Sequence, residues 1–181
     1  MPLSPPVARK PIHTRAITCS SYARDDGMWD IEGHLTDVKS YPFPNAFRGE
    51  IQAGEPIHDM KLRLTVDRDI VVRDVEAVTD AGPFAICPAI APAFRKLVGT
   101  QIKPGWRKVV FGLLGGTRGC THLVDLLGPM ATVAFHSVRW SRSDPDRPRT
   151  EKVRPPIDTC HAWASDGQVV KAHYPEYYTG G

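Results

Sequence analysis

The strongest constraint on the fold is an alternation of apolar and polar residues in the N-terminal half of the chain. Between Ile57 and Val66, one predicted face carries Met60, Leu62, Leu64 and Val66, and the other carries mostly His58, Lys61, Arg63 and Thr65. A period of two residues is typical of a β-strand with one buried face. The turn signal Asp67-Arg68-Asp69 follows, and Ile70–Thr79 alternates again. Two strands joined by so short a turn are expected to be antiparallel neighbours.

A second strand pair precedes this one, and helical patterns follow it. Arg15–Tyr22 and Met28–Val38 flank the turn signal Arg24-Asp25-Asp26-Gly27, and Asp-Gly between two strand-like segments favours a hairpin. Helices are predicted over Ala91–Val98, Gly105–Leu114 and Cys120–Trp140, with Pro129 expected to kink or divide the last. Strands followed by helices predict an α+β fold, in which an antiparallel β-sheet from the N-terminal half is covered by helices from the C-terminal half.

The chain length and the prolines suggest the domain organisation. Residues 1–14 are predicted to form an extended arm, because its prolines block regular structure. A chain of 181 residues fits one domain, which we place at residues 15–178. The charged, proline-rich stretch near residues 141–156 is predicted to be a mobile connection within it.

Composition narrows the class of protein. The formal charge of +3 comes from 23 basic and 20 acidic residues, which does not favour nucleic acid as a partner. No apolar run is long enough to cross a membrane, and Met1–Arg15 has no apolar signal core, so a cytoplasmic location is expected. The four cysteines are widely spaced and are interpreted as reduced thiols.

A glycine-rich loop that leads into a predicted helix is the clearest candidate for a functional site. Gly115-Gly116-Thr117-Arg118-Gly119 is followed directly by Cys120-Thr121-His122-Leu123. A helix N-terminus favours anions or a thiolate, and glycines allow close approach of the backbone to another group. Thr121 could alternatively act only as a helix cap, which would leave His122 without a catalytic role.

Other ionisable residues are candidates for acid/base chemistry. His58 precedes Asp59, but neighbouring strand residues face opposite ways, so a surface histidine is an alternative. Asp37 and Lys39 share one predicted strand face, either as a surface ion pair or as a pair that moves a proton in a pocket. Arg48 and Arg63 are candidates for binding an anionic group, with a surface role as the alternative.

Several established classes of site lack support in the sequence. A zinc site could draw on Cys87, Cys120, His122, Cys160 and His161, but Cys-x-His and Cys-His spacings are not specific for zinc. There is no G-x-S-x-G elbow, no Walker A loop and no G-x-G-x-x-G motif, so neither a serine hydrolase nor a nucleotide cofactor is indicated. We therefore predict neither a metal nor a cofactor.

The sequence also resembles a bacterial family, the domain-of-unknown-function family 2889. The resemblance covers about Arg15 to Pro175 and rests on segments found in matching order: Asp26-Gly27-Met28-Trp29-Asp30-Ile31-Glu32-Gly33, Leu35-Thr36-Asp37-Val38-Lys39, Gly54-Glu55-Pro56-Ile57-His58-Asp59-Met60, Cys87-Pro88, Gly105-Trp106, Gly119-Cys120-Thr121-His122-Leu123, Cys160-His161-Ala162 and Asp166-Gly167. Membership of this family implies almost nothing about function.

Within that family, the chain resembles the phenylcoumaran γ-formaldehyde lyases of bacteria that degrade lignin-derived aromatics. This resemblance implies a cofactor-independent lyase that converts a phenolic dimer to a stilbene and formaldehyde. Such chemistry needs acids and bases beside an apolar slot. His58, His122, Asp37 and Lys39 are the catalytic candidates, and the substrate-binding candidates are Arg48, Arg63, Tyr41, Trp106, Cys120 and Thr121.

Two other functions stay open at this stage. One is a non-catalytic ligand-binding or accessory protein of aromatic catabolism, and the other is a metal-dependent hydrolase. The expected partner is a small aromatic molecule, with a homodimer left open as the assembly.

Overall fold

The computed structural model describes residues 2–140 and 155–181, without the side chains of Arg139 and Trp140. The chain divides into two compact units, residues 1–144 and 145–181, which we describe separately. The connection predicted near residues 141–156 therefore lies, apart from its last two residues, outside the described part of the chain. The assignment of residues 15–178 to one domain remains a prediction.

A four-stranded antiparallel sheet forms the frame of the first unit. Its strands are β1 (His13–Ala23), β2 (Trp29–Lys39), β5 (Pro56–Val66) and β6 (Val72–Ala81), in the spatial order β1-β2-β5-β6. The predicted hairpin is present, with Arg15 opposite Asp37. A small second sheet pairs β3 (Phe43–Asn45) with β4 (Gly49–Ile51). The N-terminal residues 2–12 precede β1 without regular structure.

Helices follow the strands, as the sequence predicts, so the α+β fold class is confirmed. Helix α1 spans Trp106–Leu114, and α2 spans Thr121–Trp140 and packs on β1, β2 and β5. Pro129 does not divide α2, which continues through it. The core lies between sheet and helices, and its fully buried members include Ile31, Leu35, Leu64, Leu123, Leu126 and Met130. No helix in the two described ranges combines the length and apolar character that a membrane crossing requires.

Two local expectations need correction. The helix predicted over Ala91–Val98 is a 3-10 helical segment over Cys87–Leu97, consistent with Pro92 lacking the N–H that an α-helix would use there. His58 lies on the core face with Met60 rather than with Lys61, because residues two apart in a strand share a face.

The second unit is small and mostly helical in its described residues. It contains a 3-10 turn, His161–Trp163, then helix α3, Gln168–His173, and a final 3-10 turn, Pro175–Tyr177. The rings of Trp163 and Tyr174 pack with their centroids 5.2 Å apart.

Candidate active site

Three neighbouring strands place ionisable side chains side by side on the core face of the sheet. Arg15 of β1 is opposite Asp37 of β2, which is opposite His58 of β5. All three lie where the apolar rows of the sheet end, beyond Leu35 and Met60. Antiparallel pairing brings residues far apart in the chain into contact here, because directly opposed side chains lie only about 5 Å apart.

Asp37 is the centre of this cluster, and its side chain is only 1% exposed. Its Oδ1 accepts hydrogen bonds from Arg15 Nε at 2.8 Å and from His13 Nε2 at 3.0 Å. Its Oδ2 accepts from Arg15 NH2 at 2.8 Å and from His58 Nδ1 at 2.9 Å. Burial by itself would raise the pKa of Asp37, but the hydrogen bonds and charge of Arg15, with help from His58, lower it to about 2. Asp37 is therefore a permanent anion at neutral pH.

His58 is held in one tautomer by this carboxylate. A carboxylate anion can only accept, so His58 carries its proton on Nδ1 and keeps the lone pair of Nε2 available as a base. Burial lowers the pKa of His58, and the neighbouring His122 lowers it further, against the opposing effect of Asp37. The ring is accordingly neutral at pH 7.

His122 enters the site from the first turn of α2. Its ring lies on that of His58, with centroids 3.6 Å apart and a tilt of 30°. Burial lowers the pKa of His122 too, with a contribution from the charge of Arg15. Two imidazoles in contact repel when both are charged, so the pair is suited to holding a single proton.

Cys120 lies beside the pair, at the position that caps α2. Its carbonyl accepts the first helical hydrogen bond, from Val124 N, so Cys120 and not Thr121 occupies the cap position. The Cys120 Sγ atom is 3.8 Å from His122 Nδ1 and 4.0 Å from Met60 Sδ. Thr121 is the first helical residue and is exposed.

The glycines before α2 serve packing of the loop on α1. A Cβ atom on Gly119 would lie 2.3 Å from the carbonyl oxygen of Leu114, and one on Gly115 would lie 2.4 Å from that of Phe111. The close approach expected from the sequence is therefore made to the last turn of α1. These glycines bring Cys120 and His122 to the end of the sheet.

Arg15 connects the cluster to α2. Besides its two bonds to Asp37, it donates from NH1 to Asp125 Oδ2 at 2.8 Å. Sequence reasoning did not select His13, Arg15 or Asp125. The Asp-Gly hairpin turn was the available signal, since folding the chain at that turn brings Arg15 close to Asp37 in register.

Several residues selected from the sequence lie elsewhere. The ammonium group of Lys39 lies over the rings of Phe43 and Tyr41, at 4.1 and 5.3 Å from their centroids, rather than beside Asp37. Arg48 donates to the carbonyl of Pro56 at 2.7 Å and pairs with Glu55.

Arg63 and Trp106 are engaged in contacts of their own. Arg63 is on the opposite face of the sheet, paired with Glu32 and Glu76. Trp106 is buried at the start of α1, and its Nε1 donates to Thr100 Oγ1 at 3.0 Å.

The cluster also has the composition of a metal site. One potential ligand atom each from Asp37, His58 and His122 lies within 4.8 Å of the others. The two Asp37 oxygens, however, already accept four hydrogen bonds, about the number that a carboxylate can take. A cation would thus be held by the two imidazoles, with Asp37 orienting His58 from behind.

Fold and site together define an α+β protein with a buried Asp–His pair and a second histidine stacked on it. Residues 13–136, more than half of the chain, match the family described as protein of unknown function (DUF2889). The chain belongs to this family. The matched segment contains every residue of the cluster, whereas the Cys160-His161-Ala162 and Asp166-Gly167 segments lie beyond it. No curated protein and no solved structure gives a significant match.

Proposed function

We propose that Asp37, His58 and His122 form the acid/base centre of a cofactor-independent lyase that releases formaldehyde from a lignin-derived phenolic dimer. The observation that supports this most directly is the stacked pair of histidines, both with lowered pKa, one of them oriented by a buried carboxylate. At neutral pH such a pair can take one proton and return it, which is what general acid/base catalysis requires.

The proposed reaction needs proton transfers only. A base removes the proton of the phenol, and the electron pair opens the dihydrofuran ring to a quinone methide while an acid protonates the departing aryl oxygen. A base then removes the O–H proton of the hydroxymethyl group. The carbon–carbon bond breaks, formaldehyde leaves, and the bonding pair forms the stilbene double bond and restores the phenolate, which is reprotonated. Every proton removed is returned, so no oxidant or reductant is consumed.

The two histidines suit different parts of this sequence. Nε2 of His58 is the base, because Nδ1 is committed to Asp37. His122 is in ring contact with His58, which supports a role in carrying the proton that the departing aryl oxygen takes up. Arg15 keeps Asp37 anionic, Arg15 and His13 together hold its carboxylate in place by hydrogen bonds, and neither transfers a proton in this proposal.

Turnover of a phenylcoumaran that bears a hydroxymethyl group tests this proposal. Formaldehyde and stilbene are measured for the wild-type protein and for His58→Ala and His122→Ala. Each substitution is expected to lower kcat by about 100-fold or more, the usual contribution of a general acid or base. The control is His34→Ala, since His34 pairs with Asp59 at 2.7 Å on the opposite face of the sheet. Its kcat should stay within about twofold of the wild-type value, because His34 makes no contact with the reacting atoms in this proposal.

The outcomes separate the alternatives. Full turnover in both site variants would refute the assigned roles. Binding of the dimer by wild-type protein without formaldehyde release would instead support a ligand-binding or accessory protein.

A metal-dependent hydrolase is the second candidate, favoured by the closeness of the His58 and His122 rings and of potential ligand atoms in the cluster. His58 and His122 would hold the ion, Asp37 would orient His58, and the ion would supply activation of a water molecule. Elemental analysis of the purified protein decides between the two. Stoichiometric zinc that is lost in His58→Ala would overturn the acid/base proposal.

A further inference from the structure

A groove between helices α1 and α2 is separate from the histidine cluster and has no role in the mechanism above. Its volume is about 420 Å³, within the range usual for small-molecule sites. The wall is mainly apolar and includes Trp106, Val110, Phe111, Val124, Leu127 and Ala131. Phe111 remains 48% exposed although it lies within α1. Aromatic and aliphatic walls of this kind favour a flat apolar ring.

A glycine in the middle of α2 keeps this groove open. Gly128 lies in the wall, and apart from its chain neighbours and the backbone of its own helix, a Cβ atom there would meet nothing within 4 Å. Glycine inside a helix makes the helix less stable than alanine would at the same position. Gly33 and Gly119 make close contacts with Met130 and Leu114, whereas Gly128 faces open space and directly precedes Pro129, where a Cβ atom in a helix would crowd the proline ring. A larger side chain at residue 128 would fill part of the groove.

The charges at the rim indicate what the ring should carry. Lys103 and Arg107 line the α1 side, and the guanidinium of Arg107 lies 5.5 Å from the ring centroid of Phe111. Asp125 lines the α2 side, but its carboxylate accepts a hydrogen bond from Arg15 NH1 at 2.8 Å. The rim is thus basic on one side and has a neutralised acid on the other, which favours a phenolate or carboxylate group on the ring.

We propose that the α1–α2 groove is an aromatic subsite, which binds a ring that carries an anionic oxygen group directed at Lys103 and Arg107. Asp125 belongs both to the groove wall and to the hydrogen-bonded chain that leads through Arg15 to Asp37. A substrate with two rings would therefore place one ring in the groove and extend past Asp125 towards the histidines. This connection to turnover rests on the proposed function, whereas the binding of a single ring does not.

Titration of the full-length protein with 4-hydroxybenzoate, followed by two-dimensional NMR of backbone amides, tests the subsite. Shifts are expected to concentrate at Phe111, Val124 and Gly128. Gly128→Leu fills the groove and should weaken binding by about tenfold or more, the loss expected when a ring can no longer be buried. The matched control is Gly112→Leu, because a Cβ on Gly112 also meets nothing within 4 Å and Gly112 does not line the groove. This variant should bind 4-hydroxybenzoate with a Kd within about twofold of the wild-type value, well short of the tenfold change expected for Gly128→Leu.

Thermal unfolding of both leucine variants checks that the fold is kept, since a side chain at residue 128 also crowds the ring of Pro129. The binding loss counts for the subsite only if Gly128→Leu unfolds at the same temperature as Gly112→Leu. A second variant, Lys103→Gln with Arg107→Gln, tests the charge without filling the groove. It should weaken 4-hydroxybenzoate, while p-cresol, which is uncharged at pH 7, should bind as it does to wild type. Shifts spread away from the groove, or equal affinities for Gly128→Leu and Gly112→Leu, would overturn the subsite.

The same variants separate this inference from the proposed lyase activity. Gly128→Leu should raise KM for the phenolic dimer by about tenfold and leave kcat within about threefold, because a remote ring contributes uniform binding. Absence of formaldehyde release together with groove binding of 4-hydroxybenzoate would refute the lyase and support the subsite. Turnover with unchanged KM in Gly128→Leu would refute the subsite and leave the lyase standing.

Discussion

At the scale of single residues, Asp37 organises the candidate site. It is a buried anion with four hydrogen bonds, from His13, Arg15 and His58. Its partners come from β1 and β5, on either side of its own strand. One carboxylate thus joins three strands and orients the histidine proposed to be the base. Removal of its charge should affect both stability and the titration of His58.

Asp37→Asn is expected to lower the free energy of unfolding by about 3 kcal/mol at pH 7, because Arg15 would lose its main partner in a partly buried site. The folded-state pKa of about 2 lies below the 3.8 that is ordinary for an aspartate, so the stabilisation by Asp37 is present above pH 3.8 and lost as pH falls towards 2. That change is about 2 kcal/mol. Urea denaturation from pH 7 to pH 2.5 should show the two proteins converging below about pH 4.

The control for this variant is Asp125→Asn. Asp125 also pairs with Arg15, but its side chain is 43% exposed, so its loss should cost less than about 1 kcal/mol. An Asp37→Asn effect that is small at pH 7, or that stays constant down to pH 2.5, would contradict the role assigned to Asp37.

At the scale of elements, the close packing of α2 on the sheet determines where His122 lies. Helix α2 packs closely on β2 at Gly33, where a Cβ atom would be 2.6 Å from Met130 Sδ and 3.4 Å from a methyl carbon of Leu126. Both side chains are fully buried. The absence of a side chain at Gly33 therefore allows the helix to lie flat on the sheet, and its first turn then reaches His58.

Gly33→Ala should destabilise the protein by about 1–2 kcal/mol, since Met130 is packed on all sides and has little room to move. Gly112→Ala is the comparison, because it introduces the same methyl group into open space on α1. It should raise stability by about 0.5–1 kcal/mol through helix propensity. Chemical denaturation of both variants measures the difference, and a Gly33→Ala variant as stable as wild type would show that α2 is loosely packed.

At the scale of the whole molecule, the fold and the candidate site belong to the first unit. The hydrophobic core cluster runs from Trp29 to Val138, and its members all lie within residues 1–144. The family match, residues 13–136, falls in the same part of the chain. His13, Arg15, Asp37, His58, His122 and Asp125 also lie in this part of the chain.

A fragment of residues 1–144 should therefore fold by itself, because it keeps the whole core cluster. Circular dichroism and cooperative urea unfolding measure this, with the full-length chain as the control. The histidine signals of His58 and His122 should also titrate as in the intact protein. A fragment that lacks a cooperative transition would show that residues 145–181 are needed to complete the fold.

Much of this fold could be predicted from the sequence. The alternation in Ile57–Val66 and the Asp-Gly turn before Met28 specify strands and a hairpin through local rules, and the structure has both. Local rules failed where proline competes with helix propensity, in Cys87–Leu97. A second error concerned His58, which was assigned to the polar face because histidine is polar. Its position, two residues before Met60 in the same strand, puts it on the core face.

The site was only partly predictable. His58, His122 and Asp37 were selected because histidines and carboxylates perform acid/base chemistry, and the structure brings these three together. Lys39 was grouped with Asp37 by strand spacing, but its ammonium group lies over the rings of Tyr41 and Phe43, which follow it in the chain. Arg15 was not selected, because only the cross-strand register shows that it faces Asp37.

The sequence by itself determined the four long strands, the helices α1 and α2, their order and the α+β class, because hydrophobic periodicity and turn chemistry act over a few residues. Tertiary structure alone decided which ionisable groups share a site. His58 and His122 are far apart in the chain, and they meet because antiparallel register aligns β1, β2 and β5 while Gly33 lets α2 pack closely above them. Their lowered pKa values follow from burial in that arrangement, which no local pattern specifies.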